Sequence, residues 1–259
     1  MIQYRLAQTL PNRRPTHYQI DQTLPPQVQC AAENECNRGF GGILRSLDCF
    51  WISDMDRIRA SSFKPLQLSL AQRLGMQTPY TLITNDPSAL QAFYRKCDGK
   101  IICKPLYGGN IGVTSDEWDA IYTSMVTQDD MQHKEQVRYQ AHQFQQFVDK
   151  DYELRVTVVG SQVFAARIDA PPGNTDFRTD YPHLVHSVYQ LPPPLEEACV
   201  KMVKTLGLNY GAIDIMRDKN GIYYFLEINP AGQYHWIEYY TGLEITKAIV
   251  NLLITGENT

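Results

Sequence analysis

The chain has 259 residues, 43% of them hydrophobic and 20% charged, with a net charge of −4. That is ordinary for a globular protein with one large or two smaller cores, and the mild acidity excludes the basic footprint of a nucleic-acid binder. No apolar run approaches the roughly 20 residues of a membrane span, and MIQYRLAQTLPNRRP lacks the apolar heart of a secretory signal.

The elements follow in chain order. Residues 1–40 are rich in Pro, Gln and Arg and read as loop, with room for a short helix in QTLPPQVQCAAENECNRG. GGILRSLDCFWIS predicts a helix running into a short strand. SSFKPLQLSLAQRLGM places Leu66, Leu70 and Leu74 four apart, as on one helix face, with Ser62 as N-cap and Gly75 at the end. TPYTLITND is a strand ending at Asp86-Pro87, SALQAFYRKC a helix, and IICKPLYGGNIGV a strand, a glycine loop and a strand. After a polar run at 127–143, FQQFVDKDYELRVTVVGSQVFAARIDA forms a strand pair around Gly160-Ser161. The proline-bounded stretch from Pro171 to Pro194 is loop, and its HxxH at His183 and His186 has no Glu or Cys spaced for a metal site. PLEEACVKMVKTLGL is a helix, a hairpin follows, and GLEITKAIVNLL is the last helix. Strands and helices interleave, giving an α/β chain whose hairpins exclude a purely parallel sheet. Cysteines at 30, 36, 49, 97, 103 and 199 form no CxxC pair, which fits free thiols in a reducing cytoplasm.

Chemistry concentrates in YGAIDIMRDKNGIYYFLEIN. Asn220-Gly221 predicts a two-residue type I′ turn, which places Asp214 opposite Glu227 with Asn229 on the same face. The other face, Ile213, Ile215, Leu226 and Ile228, is core. Two carboxylates directly across a ladder repel. A hard divalent cation such as Mg²⁺ resolves that repulsion and completes its shell with water and phosphate oxygens. Lys104 closes the strand IICK ahead of a glycine segment, a pattern suited to phosphate because glycine lets backbone N–H groups approach and lysine adds a mobile charge. It is neither a Walker A loop nor a dinucleotide fingerprint. Arg155 and Arg167 lie on adjacent predicted strands and Arg178 in NTDFRTD. Singly, each reads as a surface partner of carboxylates such as Glu153; together with the other two clusters they suggest a nucleotide site.

The order of a lysine, a lysine–glycine loop, an ELR strand, an arginine loop, an aspartate and ExN resembles the ATP-grasp ligases, among them glutathione synthetase and D-alanine–D-alanine ligase. NPAGQYHWIEYYTGLEITKAI, SLDCFWIS, LQLSLAQRLGMQTPYTLITND and the DFR triplet resemble more narrowly the microviridin-type, or graspetide, maturases that cyclise ribosomal precursor peptides. The likeness runs from about residue 40 to the end. It implies an ATP-grasp fold of two subdomains gripping ATP over 61–259, divided into 61–148 and 149–259, after a partial N-terminal domain in 1–60. The implied nucleotide residues are Lys64, Lys104, the hinge at Gln146, Phe147 and Val148, and Glu153 on the ribose. Arg155, Arg167 and Arg178 are implied on the γ-phosphate and acyl phosphate, and Asp214, Glu227 and Asn229 on Mg²⁺. Phe63 stands where Asn or Asp is usual before the first lysine. The implied partner is a precursor peptide, the setting cytoplasmic, and a homodimer common. Two other readings stay open: a ligase acting on a small amino acid or a protein tail, and a truncated homologue that binds peptide without turnover.

Overall fold

The computed structural model describes residues 23–106, 110–112, 118–120, 122–171 and 184–256. The chain divides into two compact units, 1–51 and 52–259. In the first, α1 (Pro26–Arg45) starts on a proline, whose missing N–H costs nothing in a first turn, and buries no residue. It absorbs the segment expected to turn into a strand; residues 46–54 form none.

The second unit opens with α2 (Met55–Ser61), capped by Asp54, whose carboxylate accepts from the Asp56 and Arg57 amides. Next comes α3 (Lys64–Arg73), with Pro65 in its first turn and no side-chain cap. Ser62, expected as that cap, instead finishes α2 by donating its hydroxyl to the Ile58 carbonyl at 2.8 Å. The buried face of α3 is Gln67, Leu68, Leu70 and Ala71, and Leu66 is 40% exposed.

Strands β1 (Thr81–Thr84), β2 (Ile101–Lys104), β5 (Ser124–Met125) and β6 (His142–Gln146) form an antiparallel sheet in the order β1-β6-β2-β5. Helix α4 (Pro87–Lys96) supplies Leu90 and Phe93 to its core, against Ile101, Phe144 and Met131 of α5 (Gln128–Gln132). Two short strands, β3 (Asn110–Gly112) and β4 (Trp118–Ala120), pair between β2 and β5 in the chain. Gly108 and Gly109 of the expected phosphate loop lie outside the described residues.

A five-stranded antiparallel sheet carries the rest. Its strands are β7 (Lys150–Val159), β8 (Gln162–Asp169), β9 (Val185–Val188), β10 (Tyr210–Asp218) and β11 (Tyr223–Asn229), in the order β11-β10-β7-β8-β9. β9 falls within the stretch expected to be loop. One face, with Leu154, Val156, Val158, Ile213, Ile215, Phe225 and Ile228, packs on α3 and on α6 (Pro193–Thr205) through Leu68, Leu70, Cys199 and Met202. Helix α7 (His235–Thr241) lies against β9, and α8 (Ile245–Thr255) against β7. Since side chains alternate along a strand, Glu153, Arg155 and Thr157 emerge on the opposite face.

The β10–β11 hairpin departs from its expected geometry twice. Asp218 N–H donates to the Ile222 carbonyl, and Gly221 sits at φ +88°, so the loop has three residues, 219–221, with glycine in the left-handed position. Arg217 therefore faces Tyr223 rather than Tyr224. A bulge then skips Leu226: Ile215 pairs with Phe225, and Asp214 with Glu227. Phe225, not Leu226, enters the core. The two one-residue shifts cancel, leaving Asp214 opposite Glu227 as expected.

Candidate functional site

Four charged groups meet on the polar face of the larger sheet. Arg155 Nη1 donates to both oxygens of Asp214, at 2.8 and 2.9 Å, from the neighbouring strand. Lys64 Nζ, at the start of α3, lies 2.6 Å from Glu227 Oε2. Each carboxylate thus has a cation from a different element. Burial alone would lower the Arg155 pKa, but the adjacent Asp214 charge outweighs it and the guanidinium is held more firmly protonated.

The backbone around this cluster is clamped. Gln67, buried one turn after Lys64, donates to the Ile228 carbonyl at 2.8 Å and accepts from the Ile228 amide at 3.1 Å. Its amide also donates to the Ser61 carbonyl. This fixes α3 against the residue next to Glu227. On the other side, Tyr210 donates its hydroxyl to the Gly232 carbonyl at 2.5 Å, and Arg155 Nη2 reaches the Gln233 carbonyl at 3.5 Å. Gly232 leaves no room for a side chain: a Cβ there would stand 2.7 Å from Arg155 Nη2 and 2.8 Å from the Ala212 Cβ. Gln67, Tyr210 and Gly232 were not singled out in the sequence; a glutamine one turn from Lys64 among leucines was the available signal.

Glu153, two residues before Arg155 on the same face, is ion-paired with Lys150. Burial pushes its carboxyl pKa up; Lys150 and, more weakly, Lys104 pull it back, while Asp214 adds to the rise. Lys104 ends β2 opposite Gln143 and is close enough to Glu153 to be felt electrostatically. Asn229 is exposed, opposite Ala212, and its side-chain oxygen accepts from the Ala231 amide.

Arg167 does not join this group. Arg167 pairs in register with Leu154, so alternation sends it to the face carrying Leu154. There it lies over the Tyr152 ring, 3.9 Å from the centroid, and donates from Nε and Nη2 to Asp169 at 2.8 and 2.6 Å. That corrects its expected place beside Arg155. Arg178 lies outside the described residues.

A RimK-like ATP-grasp domain matches residues 61–253. The chain belongs to this ATP-grasp family. Its fold is similar to that of the macrocyclase MdnC bound with precursor peptide MdnA from Microcystis aeruginosa, with 32% identity and a TM-score of 0.83 over 92% of this chain and 75% of that one. A Chryseobacterium gregarium RiPP-associated ATP-grasp ligase, in complex with ADP and a leader and core peptide, is 27% identical with a TM-score of 0.81, covering 93% of this chain and 73% of that one. A D-alanine–D-alanine ligase of Chromohalobacter salexigens is 27% identical over 168 residues, 60% of this chain and 50% of that protein. A probable alpha-L-glutamate ligase of Shewanella frigidimarina is 30% identical over 107 residues, 39% of this chain and 33% of that protein. The chain therefore spans a third to a half of these two ligases.

In this ATP-grasp domain, the crossover from the smaller to the larger sheet runs from the end of β6 at Gln146 through residues 147–149. The Gln146 and Phe147 amides are taken by the Tyr80 and Lys100 carbonyls. A cavity of about 470 Å³ adjoins this crossover, lined also by Asp149, Asn220 and Tyr224. A larger one of about 650 Å³, between α3 and residues 75–83, holds none of the charged cluster.

The donor set suits a hard cation. Asp214 and Glu227 oppose each other, with the Asn229 amide two residues along the same strand. Among the described residues no three His, Cys, Asp or Glu gather as a soft-metal or all-carboxylate site. Two carboxylates and an amide leave room for water and phosphate oxygens, the ligands with which Mg²⁺ completes its shell. No helix among the described residues is long and apolar enough to cross a membrane.

Proposed function

We propose that the protein is an ATP-dependent ligase. It activates a side-chain carboxylate of a ribosomal precursor peptide as an acyl phosphate and closes a macrocycle through a Ser or Thr hydroxyl, as an ester, or a Lys amine, as an amide. The observation that carries this reading is the opposed Asp214–Glu227 pair, set between Arg155 and Lys64 in an ATP-grasp domain. The likeness to MdnC over 92% of the chain supports the peptide as substrate class. Residues 61–148 and 149–259 serve as the two gripping halves. None of the six cysteines is in a disulfide, which fits a cytoplasmic setting.

Lys104 and Lys64 bind the phosphates of ATP, and Glu153, beside Lys150, accepts from the ribose. The hinge at Gln146, Phe147 and Val148 orients the adenine through its backbone and the Gln146 side chain. Asp214, Glu227 and Asn229 hold Mg²⁺, which neutralises charge on the phosphates when bound. The peptide carboxylate attacks the γ-phosphorus and ADP leaves. The hydroxyl or amine then attacks the acyl carbon, forming the new C–O or C–N bond as phosphate departs. Arg155, fixed by Asp214 and the Gln233 carbonyl, faces the developing oxyanion; such a donor is typically worth about 3–4 kcal/mol. Arg178, two residues after Asp176 in DFR, is proposed on the acyl phosphate.

The test incubates the protein with ATP, Mg²⁺ and peptides encoded beside its gene. Loss of one water per ring, with ATP consumption that requires peptide, is expected. Mild base reopens an ester and leaves an amide intact. ATP consumption driven by a free amino acid would favour the small-substrate ligase, and peptide binding without ATP consumption the non-catalytic homologue.

A further inference from the structure

The two edges of the larger sheet are finished differently. At the β11 edge, Gln77 bridges to Tyr224, and the Phe225 amide donates to the Gln77 carbonyl at 2.8 Å. At the other edge, β9 is the outermost strand among the described residues. Its sequence, VHSV, has no Lys, Asp, Glu or Pro, and Val185 and Val188 are 63% and 60% exposed. Edge strands are normally guarded by charge, proline or a cover.

The ladder shows what this edge offers. The Tyr189 amide donates to the Ala165 carbonyl at 2.9 Å, which makes 189 and 165 a hydrogen-bonded pair. Such pairs alternate in antiparallel sheets, so Ser187–Arg167 and Val185–Asp169 are bonded in the same way. His186 and Val188 therefore turn both N–H and C=O outward, two donor–acceptor couples at the spacing of one extended chain. The His186 ring is stacked on Tyr240 of α7, 4.7 Å between centroids, and meets Trp236 edge-on at 5.4 Å. Trp236 donates to the Gln233 carbonyl at 3.2 Å, the same oxygen that Arg155 reaches. An aromatic shelf thus runs from the open edge to the charged cluster.

We propose that β9 receives a segment of the peptide substrate as an added strand, with the α7 aromatics supporting its side chains. The inference rests on the peptide-ligase reading. Paired outward N–H and C=O groups complement an extended polypeptide backbone, and an uncharged edge gives no hold to a partner recruited by charge. The added strand would lie three strand spacings, about 14 Å, from β7. The reacting residue is then about four to five residues along the peptide from the docked segment, at ~3.3 Å each. Anchoring and chemistry are separate, so their kinetic signatures separate too.

Val188→Pro removes an outward N–H and spares the β8–β9 bonds, and Val188→Lys adds a guard without altering the backbone. The probe is whichever of MdnA and the peptides encoded beside the gene the wild type dehydrates. Both variants should weaken its Kd and raise its KM about tenfold, with kcat at saturating peptide and ATP affinity kept. Bound peptide should protect the His186 and Val188 amides from hydrogen exchange. Ser187→Pro, which removes an inward N–H, should instead lower Tm. Wild-type peptide affinity in both Val188 variants, or protection confined to other amides, overturns the docking strand. A wild-type dimer that Val188→Pro makes monomeric at unchanged peptide affinity makes β9 a subunit contact and also overturns it. A wild type that neither binds nor dehydrates any peptide fails at the function itself, and the docking strand falls with it.

Discussion

Asp214 and Glu227 face each other across one ladder, yet removing them should have different costs. From the hairpin alone, neutralising either carboxylate relieves repulsion and keeps or raises stability. The structure reverses that sign for Asp214. Its partner Arg155 is buried, and Asp214→Asn strands the guanidinium; breaking a buried pair in this way costs about 3–5 kcal/mol. Glu227 is a third exposed, and Glu227→Gln should cost under about 1 kcal/mol. Both should abolish peptide-dependent ATP turnover. Urea unfolding beside an ADP-release assay separates the two effects, and equal stability losses would contradict the asymmetry. Glu153 gives a pH prediction. Its folded pKa is raised above the ordinary 4.5, chiefly by burial, so the folded chain holds this proton more tightly than the unfolded one. Its stabilising contribution is complete below 4.5 and is lost as pH rises through the raised folded value. Glu153→Gln should flatten that part of the stability–pH curve, read from denaturant midpoints at successive pH values.

At the scale of elements, α3 and the bulged hairpin together set the site. Gln67→Leu keeps the volume and loses the amide bonds to Ser61 and Ile228, leaving buried backbone groups unpaired; a loss of about 2–4 kcal/mol is expected. Because Lys64 is one turn away, KM for ATP should rise as well, and a variant altered in stability alone would detach Gln67 from the site. Gly232→Ala drives a methyl into Arg155 and Ala212 and should lower kcat more than ATP affinity. The sequence made Asp214 opposite Glu227 legible for an incomplete reason. A three-residue turn and a bulge at Leu226 offset each other, and neither has a signature that survives an Asn-Gly dipeptide. The face of Arg167 was legible but not read: a turn centred on Gly160-Ser161 already pairs Arg155 with Ala166. Ser62 misled because capping residues also end helices, and β9 was hidden because four residues between proline-rich flanks carry too little alternation. The cations on the two carboxylates were beyond sequence, since Lys64 lies 163 positions from Glu227 and no spacing rule joins them.

For the whole molecule, the paired charges predict how ligands stabilise it. Mg²⁺ alone meets carboxylates already compensated by Lys64 and Arg155, and should shift Tm little. ATP and Mg²⁺ together offer phosphate oxygens to the cations and metal to the carboxylates. At a hundredfold excess over Kd, they should add about 2.7 kcal/mol. Thermal melts with each ligand alone and both together check this; a full shift from Mg²⁺ alone would mean that the cations do not compete for the site.

The Gln77 cover on β11 has a consequence for association. A sheet open at both edges can add copies without limit, one edge receiving the next. In this sheet Gln77 covers β11 at Tyr224 and Phe225, so among the described residues β9 is the edge without such a cover. Two copies meeting β9 to β9 would be related by a two-fold axis, and each would consume its partner's open edge. A third copy would meet the edge that Gln77 bridges. Crowding by this route favours a closed pair over a filament.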